Sequence, residues 1–210
     1  MPADGRGLFV TFEGIDGSGK STQARMLHAG LLASGHDAIL TREPGGSDGA
    51  EEIRRLLVEG DPDRWSAETE LLLFTAARRD HLEKRIDPAL AAGKVVVCDR
   101  FADSTRVYQG ATRGDLAHTV DALHDLIIGR DPDLTFLIDM DPEAALARGL
   151  ARQSGEDRFE EFGITFQHRL RQGFRDLAAV HSHRFRVIDG MRAPEDVARE
   201  VRALADAALT

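Results

Sequence analysis

The chain has 210 residues, of which 42% are hydrophobic and 30% charged, the make-up of a globular domain long enough to bury a sizeable core. Its net charge of −9 argues against broad affinity for nucleic-acid backbones, and no apolar run approaches the length of a membrane span.

The opening stretch, MPADGRG, lacks the basic-then-apolar order of a signal peptide, so a cytoplasmic protein is expected. Four segments then read as buried strands: Leu8–Glu13, Ala38–Thr41, Lys94–Asp99 and Leu134–Asp139. A weaker fifth is Arg186–Asp189. Each is short, apolar and rich in β-branched residues, without the alternation of a half-exposed strand. Helical patterns lie between and after them: Ser21–Ser34, Gly49–Glu59, Ala67–Ala92, Asp115–Gly129, Pro142–Gln153, Phe159–Ser182 and Ala193–Ala208. This alternation predicts an α/β fold, a five-stranded parallel sheet flanked by helices with right-handed crossovers. With no repeat, low-complexity tract or linker, a single domain spanning 1–210 is expected. The sole cysteine, Cys98, sits in the apolar run VVVCD and reads as a buried structural thiol.

Ligands of such sheets gather at the carboxyl ends of the strands, and the unusual residues fall there. GIDGSGKS, Gly14 to Ser21, matches G-x-x-x-x-G-K-S, the P-loop pattern, and a predicted strand precedes it while a helix follows. Gly14, Gly17 and Gly19 permit backbone geometries closed to other residues. The loop amides can then cradle phosphate beside the positive end of a helix dipole. Lys20, one of only three lysines in the chain, can reach the β- and γ-phosphates, and the Ser21 hydroxyl can ligate Mg²⁺. Asp16 is anomalous, an anion inside an anion cradle; pointing out over the rim, it could accept a hydrogen bond from a sugar hydroxyl of a second substrate. Asp99 ends an apolar strand, as a Walker-B acid does, and suits a metal site. Arg100 follows it and suits bidentate phosphate contact.

TREPGG, LLLFTAARRDHL, GKVVVCDRFADSTRVYQG, PDLTFLID and GEDRFE, added to the P-loop, give the chain over nearly its whole length a resemblance to the bacterial thymidylate kinases. The run DRF…S…YQG together with TREPGG is highly specific; the P-loop alone is not. The resemblance implies a P-loop kinase fold, transfer of the ATP γ-phosphoryl group to dTMP with Mg²⁺, small-molecule substrates rather than nucleic acid or membrane, and a homodimer. It implies ATP contacts from Gly14, Ile15, Asp16, Gly17, Ser18, Gly19, Lys20, Ser21 and Thr22. Asp16 matches the carboxylate that meets the dTMP 3′-hydroxyl. Glu43 and Pro44 match the lining of the sugar and phosphate side, and Arg54 and Arg100 the arginines that hold the acceptor's phosphate. Phe74 matches the ring that stacks on thymine. Arg78 matches the residue that hydrogen-bonds the base, and its i, i+4 spacing from Phe74 puts both on one helix face. Ser104, Thr105 and Gln109 match polar contacts around the base, and Tyr108 the ring that disfavours a 2′-hydroxyl.

A lid is expected at about 148–159, where Arg148, Arg152 and Arg158 surround RQSGED. The variable P-loop positions Ile15, Asp16, Gly17 and Ser18 include no arginine. Family members of that kind carry the catalytic arginine in the lid, so Arg152 and Arg158 are catalytic candidates beside Lys20, Asp16 and Arg100, with Arg148 at the lid's base on the ATP side. No general base stands out, and an acceptor phosphate already ionised near neutral pH requires none. Among the alternatives, a kinase for another nucleoside or monophosphate is separated by Arg54 and Arg100, which predict an acceptor already carrying phosphate. A guanine-nucleotide switch would use N-K-x-D, and the chain contains no asparagine. A catalytically dead scaffold is opposed by intact Lys20, Ser21, Asp99 and Arg100.

Overall fold

In the computed structural model, which describes residues 6–60, 64–111, 116–150 and 163–209, five strands form one parallel sheet. They are β1 (Phe9–Glu13), β2 (Ala38–Arg42), β3 (Val95–Asp99), β4 (Leu134–Asp139) and β5 (Phe185–Asp189), in the order β2-β3-β1-β4-β5. The expected strands are all present, each within a residue of its predicted bounds. The weak fifth gains Phe185, which pairs with Thr135 at the sheet's edge.

The missing alternation has a direct cause: both faces of the sheet are covered. Val10 and Phe12 of β1 pack on one side with Ala24, Leu27 and Leu31 of α1 (Lys20–Ala33) and Val197 and Val201 of α9 (Pro194–Leu209). Phe9, from the same strand, packs on the other side with Leu82, Leu90, Val96 and Phe101. Successive residues of a strand thus enter different cores, and each must be apolar.

Two helical predictions need amendment, and one helical segment is additional to those predicted. The stretch 67–92 is not one regular helix: α3 (Ala67–His81) passes through a π-helical turn (Leu82–Ile86) into α4 (Asp87–Ala91). Pro88 lies at the start of α4; it lacks an N–H and its ring would crowd the carbonyl four residues back, which a widened turn relieves. The stretch 115–129 becomes α6 (Ala117–Leu123) and a π-helical turn to Ile128, closed by Gly129 in the left-handed region at φ 58°, as helix ends commonly are. A further helical segment, α5 (Ala102–Thr105) continuing as a π-helical run to Ala111, follows Arg100. Its sequence shows no amphipathic period because Ala102, Asp103, Thr105, Val107, Tyr108 and Gln109 are all buried. The remaining helices are α2 (Asp48–Val58), α7 (Pro142–Leu150) and α8 (Gly163–Val180). Arg152, Arg158 and most of the expected lid lie outside the described residues. Among those described, no helix is long and apolar enough to cross a membrane.

Candidate active site

β1 occupies the middle of the sheet, with β3 on one side and β4 on the other. In the chain order of strands, this is where connections leave toward both edges, the switch point at which doubly wound sheets open a crevice. The P-loop leaves β1 there. Gly14, at φ 139°, could not carry a side chain, since a Cβ would lie 2.6 Å from the Ile138 carbonyl oxygen; at Gly17, φ 79°, it would lie 1.9 Å from that of Ala145. The loop is therefore seated directly on β4 and α7. Lys20 is buried and its Nζ donates to the Ile15 carbonyl at 2.7 Å. Burial, with Arg100 nearby, lowers its pKa to about 8, against the pull of Asp16, Asp99 and Glu13. Ser18 Oγ and Asp99 Oδ1 are buried without a hydrogen-bond partner.

Arg100 adopts φ 69°, the one positive φ among the described non-glycine residues. A left-handed turn right after β3 is a costly conformation that recurs at functional sites. It carries the guanidinium back across the P-loop, where Nη1 donates to Ser104 Oγ at 3.0 Å and to the Gly14 carbonyl at 3.3 Å. Nη2 reaches the Tyr108 hydroxyl at 3.2 Å and pairs with Asp16 Oδ1. Tyr108 in turn donates to Asp16 Oδ2 at 2.8 Å. Burial pushes the Asp16 carboxyl up, but the charges of Arg100 and Lys20 and these hydrogen bonds prevail and hold it below the usual carboxylate range. Behind them stands Glu13, fully buried, accepting from the Phe101 amide at 2.8 Å and the Ser104 hydroxyl at 2.6 Å. Burial and the neighbouring Asp103 raise its pKa to about 7.

The facing wall comes from α2, α3 and the loop after β2. Glu43 is buried, with its amide bonded to the Asp99 carbonyl at 3.0 Å. Its Oε2 accepts from Arg78 Nε at 2.7 Å, while Arg78 Nη2 donates to Thr105 Oγ1 at 2.9 Å. The Arg78 guanidinium lies 5.2 Å from the centre of the Phe101 ring, within range of a cation–π contact. Arg54 Nη1 donates to the Pro44 carbonyl at 2.6 Å. Gln109 Nε2 donates to buried Glu70 at 3.0 Å. Phe74 is half-buried and faces the open space, as a stacking ring must and a core phenylalanine does not. Tyr108 divides its roles, its ring packing edge-on against Phe166 and Phe174 while its hydroxyl meets Asp16.

These two walls enclose a cavity of about 510 Å³, in the range that holds a small-molecule ligand. Every residue expected on the acceptor side lines it, from Asp16, Glu43 and Pro44 through Arg54, Phe74, Arg78 and Arg100 to Ser104, Thr105, Tyr108 and Gln109. So do Gly17, Gly19, Lys20, Ser21, Thr22 and Asp99. Gly14, Ile15 and Ser18 form the underside of the loop instead, with Ile15 buried against Val107 and Leu137. Arg148 is exposed in the last turn of α7 and does not line the cavity, although the next residue, Gly149, does.

Sequence reasoning missed Arg25, Arg42, Leu57, Val58 and Phe101 in the lining, and the supporting carboxylates Glu13 and Glu70. Arg25 had a legible signal, four residues past Ser21 on the same helix face. Glu13 and Glu70 had none, because their partners come from distant segments.

A loop of this form at a sheet switch point, opposite a wall of arginines and an aromatic ring, defines a P-loop phosphotransferase with room for a second, nucleotide-sized substrate. The family model for thymidylate kinase matches residues 12–201. The thymidylate kinase of Ruegeria pomeroyi is 70% identical over 197 residues, 94% of this chain and 93% of its own length. That of Dinoroseobacter shibae is 71% identical over 197 residues, 94% of this chain and 95% of its own. The crystal structure of thymidylate kinase from Ehrlichia chaffeensis superposes with a TM-score of 0.77 at 38% identity, covering 95% of this chain and 99% of that one. The chain belongs to the thymidylate kinase family.

Proposed function

We infer that the protein phosphorylates dTMP to dTDP, taking the γ-phosphoryl group of ATP by direct in-line transfer. The observation that carries this reading is the continuity of one cavity from Lys20 and Ser21, across Arg100 and Arg54, to Phe74 and Arg78. Two phosphate-bearing molecules placed end to end would meet at Asp16 and Arg100.

In this reading the P-loop holds the donor's phosphates, with Lys20 drawn from the Ile15 carbonyl to the phosphate oxygens. Arg54 and Arg100 hold the acceptor's phosphate, Phe74 stacks on the base and Arg78 reads its edge. Asp16 has both oxygens engaged, yet a carboxylate offers about four acceptor positions, so it retains capacity for the sugar 3′-hydroxyl. The acceptor phosphate is itself the nucleophile; positioning and charge neutralisation are what remain for the protein to supply. Arg152 and Arg158, with Arg148 at the base of the lid, would bring further positive charge to the transferring group and exclude water.

The residues present also fit Mg²⁺. Ser21 lines the cavity and Asp99 Oδ1 is buried without a partner. Among the described residues no cluster of three or more potential ligands could cage a cation, and Mg²⁺ in kinases keeps its waters and substrate phosphates rather than a protein cage. When bound, held through Ser21 and Asp99, it would neutralise charge on the donor's phosphates. A homodimer and a cytoplasmic location complete the proposal, as the family likeness implies.

Steady-state turnover with ATP against dTMP, dUMP, dCMP, dGMP and AMP tests the reading. dTMP is expected to be the preferred acceptor; equal or better use of dCMP or AMP would overturn it.

A further inference from the structure

We propose that His81 is a positioning residue for recognition of the acceptor's base, acting through Glu43 on Arg78. The proposal rests on the reading of Arg78 as the base-contacting residue. His81 ends α3, three residues beyond Arg78, and is completely buried. Its Nδ1 meets Glu43 Oε1 at 3.0 Å and its Nε2 meets Thr41 Oγ1 at 2.7 Å. Glu43 uses its other oxygen, Oε2, on Arg78 Nε. An ionised carboxylate only accepts, so the ring proton is on Nδ1 and, in the neutral imidazole, Thr41 donates to Nε2. The connected path runs from Thr41, inside β2, through His81 and Glu43 to Arg78, and ends on Thr105 of α5.

This path fixes the guanidinium from two sides. Nε and Nη2 are held by Glu43 and Thr105, which leaves Nη1 for a ligand in the cavity that Arg78 lines. Glu43 alone would not suffice: it stands in a loop, beside Pro44 and two glycines, and a carboxylate held only by Arg78 could swing with it. His81 anchors it to the sheet. The loop is shaped around this contact, since a Cβ on Gly46 would lie 2.3 Å from His81 Nε2 and 2.5 Å from Thr41 Oγ1. At Gly46 there is no room for a side chain between the loop and the ring. A buried network with all members satisfied holds one geometry, and its pairwise couplings exceed what separate deletions suggest.

The test compares kcat/KM for dTMP and dCMP in the parent, Arg78→Ala, His81→Gln, His81→Asn and the double variant Arg78→Ala/His81→Gln. Asparagine can keep the donor toward Glu43; glutamine fills the space but places its amide nearer Thr41. His81→Gln is expected to raise the KM for dTMP about tenfold and lower the dTMP:dCMP ratio by a similar factor, with the KM for ATP unchanged. His81→Asn should restore most of the ratio. The double variant should be no less selective than Arg78→Ala, because the two act on one contact. If Arg78→Ala lowers the ratio but His81→Gln does not, or if their effects multiply, His81 has no positioning role. A parallel rise in the KM for ATP would assign it to general stability and overturn the proposal. An unchanged ratio in Arg78→Ala would remove the base-reading assignment itself. Should His81→Gln fail to fold, Thr41→Val releases the ring from its anchor at nearly constant volume, and the same criteria apply to it.

Discussion

At the proposed donor end of the cavity, one contiguous segment, Gly14 to Ser21, forms the wall and its underside, a glycine-bearing backbone shaped against β4 and α7. At the acceptor end the surface is made of side chains from α2, α3, α5 and the loop after β2, held by bonds such as Glu43–Arg78, Arg78–Thr105 and Glu70–Gln109. Phosphate is alike in every nucleotide and can be met by backbone amides. A base and a deoxyribose must be told apart by functional groups placed at fixed points, which takes side chains that are themselves held in place. The donor end should therefore fail abruptly when its central charge is lost, and the acceptor end should fail by degrees, losing selectivity before turnover.

The largest effect is expected for Lys20→Ala, which removes the buried ammonium from the cradle. Turnover should fall by about 10³ or more, the order associated with a key cationic group in phosphoryl transfer, while circular dichroism and melting temperature stay close to the parent's. Near-parental kcat in the folded variant would sink the P-loop assignment.

Next comes the lid. With Arg152 and Arg158 both replaced by alanine, kcat should drop about a hundredfold or more, with a smaller change in the KM for dTMP. Full kcat in the double variant would move the transition-state role elsewhere, and Arg100 would be the next candidate.

Asp16→Ala separates the ends more finely, since Asp16 sits on the donor loop but is proposed to serve the acceptor. It should cost about tenfold in kcat/KM for dTMP, the order of one charged hydrogen bond, and narrow the gap between dTMP and its 3′-deoxy analogue. If that gap stays as wide as in the parent, the carboxylate serves only to hold Arg100.

The last effect is on stability rather than on turnover, and concerns Glu13, which links β1 to the start of α5. Its pKa is raised from 4.5 to about 7, so the folded chain holds this proton more tightly than the unfolded one. The stability it contributes is present in full below about pH 4.5 and is lost as pH rises through about 7. Glu13→Gln stays neutral throughout and should lose less melting temperature than the parent between pH 5 and pH 8. The differential is of the order of 2 kcal/mol, given about 1.4 kcal/mol per pKa unit. Parallel melting curves across that range would show that Glu13 is not the titrating group.

The same contrast governs how much could be read from the sequence. The five strands were legible because an apolar run with both faces covered cannot be disguised, and the P-loop because its residues are contiguous. That Phe74 and Arg78 line one cavity was legible through helical spacing together with family likeness. α5 and its π-helical continuation were not, because a helix buried on all sides has no period. Nor were the break at Leu82–Ile86, which answers to Pro88 rather than to any apolar pattern, or Glu13 and Glu70, whose partners lie 88 and 39 positions away in Phe101 and Gln109.

The residue types alone determined that the sheet is parallel, the succession of strands and helices along the chain, and the chemistry available at each strand end. What tertiary structure decided was which of those groups spend their charge on one another. Asp16 is bound by Arg100 and Tyr108, and Glu43 by Arg78 and His81. Such pairings depend on distances of about 3 Å between segments far apart in the chain. Spacing along a sequence sets distances only within a helix or a strand, so the placement of one element on another had to be seen.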